Sequence, residues 1–153
     1  MINSSLEQII EAEGEILELP RGFSMWPMLI NQRDTIVLKK PRFPLKTHDV
    51  VLYRRPDKCV LHRFLYKKGD VLVIRGDNCR ENELDITEER IFGMLKGFYK
   101  GDKYIDCETN KGYKLYVWFW RYTYYLREFF IKPVYHFALR IGGKILRILK
   151  IKK

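Results

Sequence analysis

From residue 34 to residue 107 the chain is cut into short apolar runs by turn residues, and this punctuation narrows the possible folds more than any other feature. Residues 34–40 (DTIVLKK), 49–54 (DVVLYR), 59–66 (CVLHRFLY) and 71–75 (VLVIR) are rich in β-branched and aromatic residues, as strands are. Turn-forming sequence separates them: Pro41 and Pro44, then Arg55-Pro56-Asp57-Lys58, then Lys67-Lys68-Gly69-Asp70. Gly76-Asp77-Asn78 breaks the fourth run. Thr87 is placed to cap a single turn through Glu88 and Glu89. A strand is expected next at 90–99, with a Lys100-Gly101-Asp102 hairpin into 103–107. Many short strands at this spacing predict a mostly β fold, antiparallel and barrel-like or sandwich-like.

The two ends read differently. Ser4 with Glu7, or Ser5 with Gln8, offers a capping box, Leu6, Ile9 and Ile10 share a helical face, and Gly14 is placed as a stop. A short amphipathic helix is expected over 4–13, and a strand over 16–19 ended by Pro20. In 113–131 (YKLYVWFWRYTYYLREFFI), Lys114, Arg121 and Glu128 recur every seven residues, which on a helix leaves a narrow polar stripe and a broad aromatic face. Pro133 breaks or kinks that helix. Beyond Phe137, Arg140, Lys144 and Arg147 fall on one face, and Ala138, Ile141, Ile145, Ile148 and Leu149 on another. That is a basic amphipathic helix, weakened by Gly142 and Gly143. Two parts are expected, a β domain over 1–110 and an aromatic and basic helical extension over 111–153.

A length of 153 residues can bury one sizeable core, and a hydrophobic fraction of 46% excludes a disordered chain. The net charge of +10 is unevenly placed. Residues 1–20 hold five glutamates and no Lys or Arg, while 113–153 hold ten Lys/Arg against Glu128 alone. An anionic membrane or a polyanion is the partner this tail suits. The longest uncharged run, 22–32, has 11 residues and contains Pro27, whereas a spanning helix needs about 20. Neither a secretory signal nor a transmembrane helix is expected. Cys59, Cys79 and Cys107 are odd in number and lack a CxxC spacing. They read as reduced thiols, with neither a zinc site nor a disulfide framework, and no cofactor or metal is expected.

The chemistry-bearing residues lie in and after Gly22-Phe23-Ser24-Met25-Trp26-Pro27-Met28. Pro27 biases Trp26 away from the α region, so an extended segment is expected there, able to offer the Ser24 hydroxyl and a backbone N–H to a bound peptide. On the expected third strand, alternation sends Val60, His62 and Phe64 to one face and Leu61, Arg63 and Leu65 to the other. A histidine among apolar residues is most often a satisfied core residue. It is also the usual base for a serine nucleophile, because it titrates near neutral pH. A carboxylate beside it would fix its tautomer, and Asp77 and Asp85 are the candidates.

Taken in order, Gly22-Phe23-Ser24-Met25-Trp26-Pro27, Asp49-Val50-Val51-Leu52-Tyr53-Arg54, Leu61-His62-Arg63, Gly76-Asp77-Asn78 and Ile91-Phe92-Gly93 resemble type I signal peptidases and the related LexA-like self-cleaving proteins. The resemblance runs over roughly residues 16–99. It implies the mostly β, barrel-like fold of that clan and hydrolysis of a peptide bond, with Ser24 as nucleophile and His62 as general base. Bacterial signal peptidases and LexA-like proteins usually carry a lysine where this chain has His62. The archaeal and endoplasmic-reticulum type has histidine followed by arginine, as here. In that branch an aspartate shortly after Gly-Asp-Asn completes the site. Asp85 is the positional match, across a slightly longer segment, and Asp77 stays a candidate. The N–H of Ser24 or Met25 would hold the oxyanion.

Signal peptidases carry a transmembrane anchor, usually before the serine, and LexA-like proteins carry a DNA-binding domain. Here only a short acidic helix is expected ahead of Ser24. The expectation is therefore a stand-alone serine peptidase for leader or signal-type peptides, similar to small signal-peptidase-like proteins of bacterial peptide-maturation clusters. Its expected place is the cytoplasm; 113–131 is expected to dock on the β domain, and for 137–153 peripheral contact with the inner membrane face is favoured, with a protein partner or packing on the domain as the alternatives. Two other classes compete. A pseudo-enzyme would hold a leader peptide without cutting it. A nucleic-acid binder would use the basic tail and stacking tyrosines, but it leaves Ser24, His62 and the aspartates unexplained and is not favoured.

Overall fold

Alternating side chains and tight turns fold residues 15–106 into one antiparallel sheet. The computed structural model describes residues 2–127 and 129. The strands are β1 (Glu15–Glu18), β2 (Thr35–Lys39), β3 (Val50–Arg54), β4 (Cys59–Lys68), β5 (Val71–Arg75), β6 (Glu83–Ile86), β7 (Ile91–Lys100) and β8 (Lys103–Asp106). They lie in the order β1-β2-β7-β3-β4-β5-β6, with β8 on β7. The expected hairpin through Arg55-Pro56-Asp57-Lys58 is present: Arg54 faces Cys59, and the Arg55 N–H donates to Lys58 O at 2.8 Å. The longest strands carry the sheet. β7 pairs with β2 on one edge and with β3 and then β8 on the other.

The sheet does not close into a barrel, which corrects the barrel-like expectation. β1 and β6 end the order, each paired with a single neighbour. Both are four residues long, and among the described residues no strand bridges them. β6 itself was not expected from its sequence, ELDI.

One face of the sheet buries Val51, Tyr53, Phe64, Leu72, Ile74, Ile86 and Ile91 as a single cluster. Against β7 lies α1 (Ile2–Glu13), which seats Ile10 beside Gly93. A Cβ at Gly93 would stand 3.3 Å from Ile10 Cδ1, so the glycine lets the helix approach. The helix starts before Ser4, so both expected capping boxes fall inside it. It stops as expected at Gly14, whose φ of 81° is one that glycine tolerates without strain. The turn expected after Thr87 is a 3₁₀ helix, Glu88–Arg90, although the Thr87 side chain does not cap it.

The chain divides into two compact units, residues 1–115 and 116–153. Helix α2 (Lys111–Tyr122) begins in the first, capped by Asn110, whose Oδ1 accepts the Tyr113 N–H at 2.8 Å. The single helix expected over 113–131 is interrupted at Thr123, whose hydroxyl turns back to Phe119 O at 2.8 Å, and a short α3 (Tyr124–Leu126) follows. The kink at Pro133 and the basic helix over 137–153 lie outside the described residues. Among the described residues no helix is long and apolar enough to cross a membrane.

Candidate active site

The serine loop is tied at its ends before it reaches Ser24. Gln32 N–H donates to Pro20 O at 3.1 Å, and Gly22 N–H to Asn31 Oδ1 at 3.0 Å. The buried Asp34 carboxylate accepts the Ile30 N–H and Arg33 Nε, each at 2.9 Å. Between these ties the segment is not extended, contrary to expectation. Trp26 N–H bonds Phe23 O and Leu29 N–H bonds Met25 O, so residues 24–28 coil through successive turns with a cis Trp26–Pro27 peptide. Burial of Met25, Met28 and Leu29 favours that coil, because an extended segment would spread them apart. Among the described residues, neither the Ser24 nor the Met25 N–H makes a hydrogen bond.

The turn after β5 holds this loop in place. Asn78 N–H donates to Ser24 O at 2.7 Å, and Asn78 Nδ2 to Phe23 O at 3.2 Å. Gly76 of the same turn makes room for the site. A Cβ there would lie 2.7 Å from Ser24 O, 2.8 Å from Cys79 Sγ and 2.9 Å from His62 Nε2. Three groups from three segments thus converge where this side chain is missing.

His62 is buried on β4 opposite Val51, on the apolar face that alternation assigned it. Its Nδ1–H donates to Glu83 Oε1 at 2.6 Å, and the Tyr53 hydroxyl lies 3.1 Å from the same nitrogen. Arg55 Nε donates to Glu83 Oε2 at 3.2 Å. Burial alone would lower the His62 pKa, but hydrogen bonds with Cys79 and Glu83 outweigh it and hold the value above the ordinary 6.5. Burial likewise pushes Glu83 up, and the hydrogen bonds from His62, Arg55 and Tyr53 overcome it and bring the carboxyl down to about 2. With Nδ1 protonated and held by an ionised carboxylate, the lone pair of Nε2 faces the remaining groups of the site.

The carboxylate on His62 is therefore Glu83, and neither candidate aspartate is there. Simple alternation would put Glu83 and Asp85 on one face. The register against β5 shifts, with Ile74 opposite Glu83 but Leu72 opposite Ile86, so β6 carries an extra residue. Glu83 and Ile86 turn inward, while Leu84 and Asp85 turn out. The Asp85 side chain is 77% exposed and stands 3.6 Å from Arg90. Asp77 is buried but faces Arg63, accepting Nε at 2.7 Å and Nη2 at 2.6 Å. Arg63 also donates to His48 O and the Tyr113 hydroxyl. No sequence signal singles out Glu83: it lies in a run that does not read as a strand, and the extra residue breaks the alternation that would have grouped it with Asp85.

Ser24, Met25, His62, Cys79 and Glu83 line one cleft of about 1180 Å³ within the first unit. The side chains of Leu19 and Phe23, also on its lining, are largely exposed. Among the described residues no group of three or more His, Cys, Asp or Glu is arranged to hold a metal ion. No family model, curated protein or solved structure matches the chain.

Proposed function

We propose that the protein is a serine endopeptidase of the signal-peptidase type that cleaves a leader or signal-type peptide in this cleft. The observation that carries the reading is the His62–Glu83 couple, buried beneath the segment that bears Ser24. In this reading Ser24 Oγ attacks the peptide carbonyl as His62 Nε2 takes its proton. Glu83 keeps the proton on Nδ1 and stabilises the imidazolium. The N–H groups of Ser24 and Met25 receive the oxyanion. Nε2 then protonates the leaving amine, and water repeats the sequence on the acyl-enzyme. Peripheral attachment of 137–153 to an anionic membrane surface, on the cytoplasmic side, belongs to the same proposal.

The test is digestion of a peptide library, read by mass spectrometry. The wild type should generate new termini, and Ser24→Ala, folded by circular dichroism, should generate none. Turnover retained in Ser24→Ala removes Ser24 from the mechanism. Peptide binding without new termini in the wild type would instead indicate a leader-binding pseudo-enzyme.

A further inference from the structure

Cys79 has no role in that mechanism, yet it stands in the centre of the site. Its Sγ and His62 Nε2 lie 2.8 and 2.9 Å from the same point beside Gly76. Since Glu83 occupies Nδ1, the thiol addresses Nε2, the nitrogen that Ser24 needs. Cys79 is partly exposed and lines the cleft, so a small reagent entering the cleft reaches it. A thiol beside an imidazole that is itself held by a carboxylate has a proton acceptor at hand when its sulfur attacks.

We propose that Cys79 is a redox modification site that gates the cleft, taking small-molecule disulfides as its reaction partners. The proposal rests on the peptidase reading only for its consequence, not for the reaction. In the exchange, the Cys79 thiol gives its proton to His62 Nε2 and the sulfur attacks one sulfur of the disulfide. A new S–S bond forms, the old one breaks, and the departing thiolate leaves as a thiol with the proton that Nε2 returns. No other oxidant is needed. The adduct fills the end of the cleft where Ser24 O, His62 Nε2 and Cys79 Sγ meet, and separates His62 from Ser24. A free thiol reverses it.

The other two cysteines are internal controls. Burial raises the pKa of Cys59, which lines the same cleft, and pushes Cys107 up to about 12. Treatment of the full chain with 2-hydroxyethyl disulfide, followed by peptide mapping, reads all three at once. Cys79 should react at least about tenfold faster than Cys59 or Cys107, and His62→Gln should slow it by about tenfold. Peptide cleavage should fall in step with adduct at Cys79 and return on reduction, and the residual cleavage by Cys79→Ser should ignore the disulfide. Equal labelling of the three cysteines in the wild type overturns the proposal without any variant. So does a fully adducted protein that cleaves at the reduced rate. If Cys79 reacts quickly and with His62 dependence while no peptide is ever cut, the thiol site stands and the peptidase reading fails. If Ser24-dependent cleavage is found and Cys79 is inert, only the gate fails.

Discussion

At Gly76 the important property is the absence of a Cβ. An added methyl would sit under 3 Å from Ser24 O, Cys79 Sγ and His62 Nε2 together, and Ser24 O is backbone that Asn78 already holds. Gly76→Ala should therefore displace the serine loop from the histidine. The expected result is at least a tenfold loss of cleavage with a stability loss of about 1–3 kcal/mol, measured by steady-state rates and denaturant titration. Glu83 sets a different quantity. Activity needs neutral His62, whose pKa lies above 6.5, so kcat/KM should fall as pH drops through a midpoint above that value. The groups facing the imidazole are Glu83, Tyr53 and Cys79, with Arg55 beyond Glu83. In Glu83→Gln the burial effect loses one of the groups that oppose it, so the midpoint should move down. The plateau rate should also drop by about 10²-fold or more as the tautomer is no longer fixed. A pH–rate profile of both proteins checks this, and an unmoved midpoint would take Glu83 out of the site.

Between elements, the buried Arg63–Asp77 pair joins β4 to the turn that carries Gly76 and Asn78. Both side chains are nearly inaccessible, and Arg63 adds bonds to His48 O and the Tyr113 hydroxyl. Removing one partner leaves the other charge buried and unpaired, which costs about 3–5 kcal/mol. Asp77→Asn should lose about that much stability in urea unfolding while its pH–rate midpoint stays at the wild-type position. That pattern is opposite to Glu83→Gln, so the two variants separate a carboxylate that holds the fold from one that tunes the histidine. The extra residue in β6 is the element-level reason these roles fall where they do. It turns Glu83 toward His62 and Asp85 toward solvent within one four-residue strand.

At the scale of the whole chain, charge and apolar surface are the features that extend beyond the cleft. The chain carries +10, with ten Lys/Arg in 113–153. Leu17 of β1, Leu19 just after it, and Phe23 and Trp26 of the serine loop expose large apolar side chains. Basic residues near an anionic surface contribute about 1 kcal/mol each, and apolar groups add burial at the headgroup boundary. The chain should co-sediment with anionic vesicles, less so as salt rises, and deletion of 137–153 should abolish this. Equal recovery in the supernatant with anionic and neutral vesicles would assign the basic tail to another partner.

Seven of the eight strands, the turns between them and the stop of the first helix at Gly14 were legible in the sequence, because period-two alternation, glycine and proline act over a few residues. Alternation also put His62 on the apolar face of β4. What His62 meets there is set by packing between distant segments. Glu83 lies 21 positions away and arrives through a bulge that breaks alternation, while Arg63 takes Asp77 from 14 positions away and Tyr113 from 50. The coil of the serine loop was equally out of reach, since Pro27 sets a local preference for extension and the burial of Met25, Met28 and Leu29 overrides it. Whether the sheet closes depends on what its first and last strands find beside them. Four-residue strands at both ends left it open, and no local pattern carries that information.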